Sequence, residues 1–308
     1  MTEFVLTHFN RATEQLVDEP VYAGGFLRWS YNTTLGWFAT DLIFSRKFLS
    51  QLYGWLHKLP WSRRRIRPFV ERYGIDMTES RHGIEDFASF NDFFIREIDL
   101  AERPVDPDPA ACVSPIDGRL VAFQEIDAGR EFKVKRSTFD LPRLLGDTSM
   151  AKKYDGGTMI VSRIYLPDYH HVHFPDSGTP DEAQPIKGKY WAVSPHSRRW
   201  SIPFFSENYR VLTRFDSDHF GPIAMVEIGA FTVGSIQQRY RPNTLVAKGG
   251  HKGFFELGGS TVVILFEKGR IRLDDDLCAN TGAGLETFVR MGESIGHAPS
   301  ARSTSHDK

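Results

Sequence analysis

Cysteine is scarce in this chain of 308 residues: Cys112 and Cys278 stand far apart, without the CxxC spacing of a zinc knuckle. A disulfide scaffold is therefore not indicated, and a reducing compartment is the default. Net charge is almost absent, with 38 basic against 39 acidic side chains, which argues against a wholesale nucleic-acid binder and confines any basic patch to one place. Long apolar runs are missing too. The longest, such as Leu35 to Phe44, is about half of what a spanning helix requires, and Asp41 interrupts it, so no crossing of a bilayer is expected. The opening MTEFVLTHFNRATEQLVDEP has no cationic start or apolar core, and its early acidic residues do not suit a transit peptide, so no export signal is read there. What remains, at 41% hydrophobic and 25% charged residues, is the profile of an ordinary folded protein.

The pattern changes along the chain. From about Glu3 to Leu100 apolar residues recur at three- and four-residue steps, as in Phe44, Phe48, Leu52, Trp55 and Leu59, which predicts several amphipathic helices punctuated by Pro60, Pro68 and Gly74. Asn91 is a candidate cap for a last short helix there. The stretch Arg103-Pro104-Val105-Asp106-Pro107-Asp108-Pro109 reads as an extended connector. Beyond it, strands are predicted at Arg119 to Ile126, Glu131 to Lys135, Gly157 to Leu166, Ile223 to Ile228, Phe231 to Gln237 and Thr261 to Phe266. Helix is expected at Leu141 to Leu145 and near Gly284 to Arg290. The fold class predicted is α+β, with a helical N-terminal region (1–102) beside a core of two antiparallel sheets (103–296) and a polar tail (297–308).

Three segments could carry chemistry. Lys248 to Thr261 is glycine-rich and ends in Gly258-Gly259-Ser260-Thr261 before an apolar strand. Glycine permits close approach to a peptide carbonyl, so a serine there could attack its own backbone, although an isolated GGST is more often a plain loop entering a strand. In Tyr169-His170-His171-Val172-His173-Phe174-Pro175, an extended backbone puts His171 and His173 on one face and His170 on the other. Histidine suits proton transfer beside a serine, while a structural role and a zinc site are the competing readings. The absence of HExxH spacing makes metal the least favoured of the three. Finally, Ser114-Pro115-Ile116-Asp117-Gly118-Arg119 is a turn with a carboxylate at its apex, a pattern common in ordinary hairpins.

Taken in order, these segments resemble the phosphatidylserine decarboxylase family. Phe90 to Arg96 matches its FNDFF-R segment, Ser114 to Arg119 its SP-DG turn, Asp168 to Pro175 its DYH--H-P run, and Lys248 to Thr261 its KG---G-F--GGST element. The GGST form is a variant the family uses beside LGST. His171 stands where many members carry arginine and is given no role, and Tyr165-Leu166-Pro167 places its proline one position differently.

The resemblance implies a proenzyme that cuts itself between Gly259 and Ser260 into a 1–259 β chain and a 260–308 α chain that stay associated. Ser260 would be the nucleophile, His173 its general base and Asp117 the carboxylate orienting that base. Ser260 would become a covalent pyruvoyl group, replacing pyridoxal phosphate as electron sink with no metal, and His170 would be the proton donor or a substrate-positioning residue in decarboxylation. Substrate and product would be phosphatidylserine and phosphatidylethanolamine. Alternatives are a decarboxylase of a soluble amino acid, a Ser-His-Asp hydrolase that keeps its serine, and a membrane-binding homologue without catalysis.

Between Arg46 and Arg72 stand eight basic residues against Glu71 alone, interleaved with Phe48, Leu52, Trp55 and Trp61. Peripheral binding to an anionic membrane surface and an amphipathic stripe packed on the protein's own core carry nearly equal weight on these residues alone. A lipid substrate favours the former and places the protein on the cytoplasmic face of the cell membrane. No nucleic-acid partner is expected, and homo-oligomerisation is left open.

Overall fold

The computed structural model describes residues 5–20, 33, 36, 47–134, 137–191, 204–229, 236–258 and 260–299. Expectations placed on Phe44, Arg46, Gly259, residues 231–235 and the tail beyond 299 lie outside the described residues.

The chain opens with strands β1 (Val5–Asn10) and β2 (Gln15–Pro20), followed by helices α1 (Lys47–Lys58), α2 (Ile66–Tyr73) and α3 (Phe90–Phe94). Then come β3 (Ala111–Val113), β4 (Gly118–Phe123), β5 (Phe132–Val134), β6 (Ser137–Phe139), α4 (Leu141–Leu145), α5 (Thr148–Lys153), β7 (Thr158–Ile164), β8 (His171–His173), β9 (Gly178–Pro180) and β10 (Gln184–Ile186). The last third holds α6 (Phe204–Glu207), β11 (Arg210–Ser217), β12 (Gly221–Gly229), β13 (Ile236–Gln238), β14 (His251–Phe255), β15 (Ser260–Phe266), β16 (Arg272–Leu273), α7 (Asp275–Gly282), β17 (Glu286–Val289) and β18 (Ser294–His297).

The fold is α+β. Its backbone is a sheet in the order β10-β11-β12-β15-β7-β4-β17-β1-β2, with β9 paired to β11. Strand β15 lies at its centre, and every residue of Ser260–Phe266 is buried. Because side chains alternate across a strand, that continuous burial means both faces are covered. Val263 and Leu265 meet Leu141, Leu144 and Phe205 of the short helices on one side. Val262, Ile264 and Phe266 meet Val172 and Phe255 of a small sheet β13-β14-β8 on the other, where Cys112 and Ile295 of a second small sheet β16-β18-β3 also pack.

Several local expectations change. The N-terminal region is not helical throughout: β1 and β2 form a hairpin whose first strand runs parallel to β17, so its beginning belongs to the main sheet. The alternation of Val5, Thr7 and Phe9 is a period-two signal hidden in a stretch read by three- and four-residue steps. The helix expected near Gly284 to Arg290 is strand β17; the helix precedes it as α7, and Gly284, at φ 77°, turns the chain between them. Among the described residues sheet material is divided among one large sheet, two of three strands and a two-stranded ribbon rather than two sheets. Finally, Ser89 and not Asn91 caps α3, its hydroxyl accepting from the Asp92 N–H at 3.1 Å.

Candidate active site

Strands β14 and β15 are joined by residues 256–259, and the described part of this turn is held by the N-terminal helices. Lys58 at the end of α1 donates to Glu256 Oε1 at 2.6 Å. Asn91, freed from capping and buried within α3, uses its side-chain oxygen to accept the Leu257 N–H at 3.2 Å. Leu257 itself is buried among Phe90, Phe93 and Phe94. Gly258 has φ 148°, a conformation that side-chain-bearing residues rarely adopt. Ser260 follows at the first position of β15, opposite Gly229 of β12 and Ile164 of β7. Its hydroxyl is buried, with one long contact, 3.5 Å to Gly258 O.

Strand β7 ends at Ile164, opposite Ser260, and the chain then passes through Tyr165–Tyr169 to β8. As the alternation predicted, His171 and His173 share a face, both with rings near His251 at centroid distances of 4.9 and 5.4 Å. His170 points elsewhere and stacks on Phe94 at 3.9 Å.

His173 is buried, and its backbone N–H donates to Pro115 O at 2.8 Å, which joins β8 to the turn that carries Asp117. Ring Nδ1 lies 2.8 Å from Gly249 O and Nε2 lies 3.2 Å from the Tyr169 hydroxyl. A carbonyl can only accept, so Nδ1 carries the proton and Nε2 offers a lone pair to the phenol. Burial pushes the imidazole pKa down to about 4, which keeps it neutral and able to act as a base well below pH 7.

Asp117 is buried but engaged elsewhere. Arg103 donates from Nε to both carboxylate oxygens at 3.1 Å and from Nη2 at 2.8 Å, and the Met291 N–H adds a bond of 2.8 Å. Of the expected triad, Asp117 and His173 are brought together through the His173 N–H to Pro115 O bond, and no hydrogen bond links either of them, or Ser260, to another of the three. The orienting role expected of Asp117 is filled for Nδ1 by Gly249 O. Gly249 holds φ 73°, and a Cβ there would lie 2.5 Å from Val105.

His170 is fully buried. Its Nε2 donates to Leu166 O at 3.1 Å, while Nδ1 has no partner. Burial lowers its pKa to about 3, so the ring is neutral and Nδ1 is a buried acceptor without a hydrogen-bond partner among the described residues. His171 is accounted for structurally: Nε2 donates to Ile95 O and Nδ1 accepts from His251, both at 2.9 Å.

The sequence reading passed over Asn91 as a loop anchor, Arg103 as the clamp on Asp117, and Tyr169 as the partner of His173. A signal for the first existed, since Asn91 is a polar residue inside the otherwise aromatic Phe90-Asn91-Asp92-Phe93-Phe94. Arg103 carried none, because its partner lies fourteen residues away across the connector. Among the described residues no group of three or more His, Cys, Asp and Glu side chains is arranged to hold a metal ion.

Comparison with known proteins identifies the family. The family model for phosphatidylserine decarboxylase matches residues 90–297, from α3 through β18. A phosphatidylserine decarboxylase proenzyme of Clostridium beijerinckii is 40% identical over 94% of this chain and 97% of its own length. Similar proenzymes of Desulfitobacterium hafniense, at 38% identity, and Fusobacterium nucleatum, at 40%, each cover 95% of this chain and 98% and 97% of their own. The chain belongs to the phosphatidylserine decarboxylase family.

Proposed function

We propose that this protein is a proenzyme that cuts itself between Gly259 and Ser260 and then decarboxylates phosphatidylserine to phosphatidylethanolamine and carbon dioxide. The observation that carries the reading is the placement of Ser260: buried, at the head of the central strand, directly after the glycine pair, and held among the described residues by one long contact of 3.5 Å. A serine serving structure alone would have its hydroxyl satisfied.

In the cut, Ser260 Oγ forms a bond to the Gly259 carbonyl carbon as the peptide C–N bond breaks. His173 Nε2 takes the hydroxyl proton and returns it to the freed amine, once the Tyr169 phenol moves aside. Asp117 acts on His173 through its charge, which favours the protonated ring, rather than through a direct bond. The resulting ester eliminates the Gly259 carboxylate, and hydrolysis of the dehydroalanine left behind releases ammonia and yields a pyruvoyl group. The surroundings fit that group, since among the described residues the Ser260 hydroxyl has only the 3.5 Å contact to Gly258 O to lose, and His170 Nδ1, in the segment after β7, has no partner among them. Once formed, its carbonyl supplies the electron sink for the charge left behind as carbon dioxide departs. His170, neutral with its Nε2–H committed to Leu166, can accept an N–H of the substrate and so position it, and can pass on a proton only after taking one up.

The 260–308 piece would stay in place after the cut. β15 pairs along its whole length with β12 and β7, and β17 sits between β4 and β1.

For the membrane, no helix among the described residues is long and apolar enough to cross. Part of the N-terminal helical region is buried against the aromatic cluster through Ile66 and Phe69. Leu52, Trp55 and Trp61 nonetheless remain 38%, 55% and 39% exposed, with Arg64 and Arg65 each 5.3 Å from the Trp61 ring. Exposed tryptophan among arginines suits the interface of an anionic leaflet. This surface favours a lipid over a soluble amino acid as substrate.

The test is mass and turnover together. Wild-type protein should give two fragments and release carbon dioxide from phosphatidylserine, and Ser260→Ala should give one inactive chain of full length. Turnover by uncut wild type, or cutting by Ser260→Ala, would refute the reading. Flotation with anionic vesicles, lost in high salt and in a Trp55→Ala, Trp61→Ala double variant, tests the surface; equal flotation with neutral vesicles contradicts it.

A further inference from the structure

Arg96 lies just beyond α3 and is 7% exposed. A guanidinium carries five N–H donors, and such a buried charge is ordinarily matched by a carboxylate. Among the described residues the Arg96 guanidinium makes one hydrogen bond, from Nη2 to Pro167 O at 2.7 Å, and lies over the Phe93 ring at 5.0 Å. The acidic groups that act on it from a distance are already taken: Asp168 is bonded to Arg119, while Asp117 and Glu79 are bonded to Arg103. Burial lowers its pKa to about 10, which still leaves it charged.

The next carbonyl in the same loop, Leu166 O, is held by His170 Nε2, so Arg96 and His170 grip adjacent peptides. Neighbouring rings of α3 fix them: Phe93 lies beneath Arg96, and Phe94 stacks on His170. Nδ1 of His170, buried and without a hydrogen-bond partner among the described residues, is a second, independent pointer to a ligand in this corner. A cation with spare donors beside a lone acceptor suits a ligand that presents an anion and an N–H close together.

We propose that Arg96 binds the phosphodiester of the substrate headgroup, with His170 Nδ1 facing its amine; the proposal rests on the phospholipid decarboxylation inferred above. The headgroup also has a carboxylate, but that group loses its charge in the reaction, and an arginine bonded to it would hold back the ground state. The phosphodiester keeps its charge throughout. Binding it is uniform between ground and transition states, so it belongs in KM.

The experiment compares wild type with Arg96→Gln, after mass measurement has shown two fragments for each. Substrates are a short-chain phosphatidylserine and a serine alkyl ether without phosphate. In Arg96→Gln, KM for the phospholipid should rise roughly 10- to 100-fold, the worth of a charged hydrogen bond, while that for the ether moves less than about threefold. Equal losses on both substrates would mark a structural role and overturn the proposal. Should Arg96→Gln fail to mature, wild type decides: inorganic phosphate should raise KM for the phospholipid and spare the ether, and an equal effect on both overturns the subsite. A wild-type chain that neither splits nor releases carbon dioxide would instead refute the underlying decarboxylase reading.

Discussion

Arg103 clamps Asp117 with three hydrogen bonds, two of 3.1 Å and one of 2.8 Å, and both side chains are about 95% buried. This pair ties the start of the proline-rich connector to the SP-DG turn. Glu79 adds a bond to Arg103 at 2.8 Å, so the 3-10 turn preceding α3 is drawn into the same network. Asp117 is thereby committed as a structural anchor, and in the proposed cut it acts on His173 through space rather than through a hydrogen bond.

Arg103→Met should therefore be costly. It leaves a buried carboxylate with the Met291 N–H as its remaining hydrogen-bond donor, and removal of one partner from a buried pair costs about 3–5 kcal/mol. Urea midpoints and the ratio of cut to uncut chain should both fall; a midpoint within experimental scatter of wild type would show that the clamp is dispensable.

Tyr169→Phe probes the base. In the structure the phenol occupies the His173 lone pair that, in the proposed cut, takes the Ser260 proton. Removing a neutral hydrogen bond of about 1 kcal/mol should speed self-cleavage by up to roughly fivefold, followed as fragment appearance after cell-free synthesis. Slower cleavage would instead make the phenol a required relay.

How much of this was legible in the chain depended on range. Leu141–Leu145 was readable as a helix because Asp140 and Gly146 bracket an apolar run, and the structure uses both as caps. Thr261 to Phe266 was readable as a strand because its continuous β-branched and apolar run fits a strand covered on both faces, and the structure begins that strand one residue earlier, at Ser260. The opening hairpin was not, because its place is set by pairing with β17 nearly three hundred residues later. The site divides in the same way. His170, His171 and His173 were sorted to opposite faces by period alone, whereas the bonds of Asp117 to Arg103 and of Asn91 to the cleavage turn exist only once distant segments meet.

Acid should weaken the fold. Burial lowers the pKa of His170 and His171 to about 3 and of His173 and His8 to about 4, all below the ordinary 6.5. Their neutral forms therefore stabilise the folded state above pH 6.5, and that contribution is lost as pH falls towards 4 and then 3, because the unfolded chain takes up protons first. Each contributes a slope of up to about 1.4 kcal/mol per pH unit. Asp168, raised to about 6 by burial, works in the opposite sense and offsets part of it. Urea midpoints should drop steadily from pH 6.5 to 4.5; a flat profile over that range would contradict the buried, neutral state of these rings.

The last prediction concerns Lys252 and Glu227, which meet at 2.7 Å with neither side chain exposed. Lys252 also donates to Gln238 Oε1 at 2.7 Å, so one ammonium joins β14, β13 and β12 beneath the strand that leads into the cleavage turn. Gln238 Nε2 also donates to Glu227 Oε2 at 2.6 Å, while Glu227 Oε1 has no partner among the described residues, so the ammonium is the one positive charge on the carboxylate among those hydrogen-bond partners. Lys252→Met should cost about 3–5 kcal/mol by leaving the carboxylate uncompensated, whereas adding Glu227→Gln should recover much of the loss because no charge is then buried. Denaturation of the two variants and wild type measures the coupling directly. Self-cleavage should follow the same order, slowest in Lys252→Met, since the turn before Ser260 is positioned by β14. Recovery of stability without recovery of cleavage would separate the two roles and assign the ammonium a part in the chemistry.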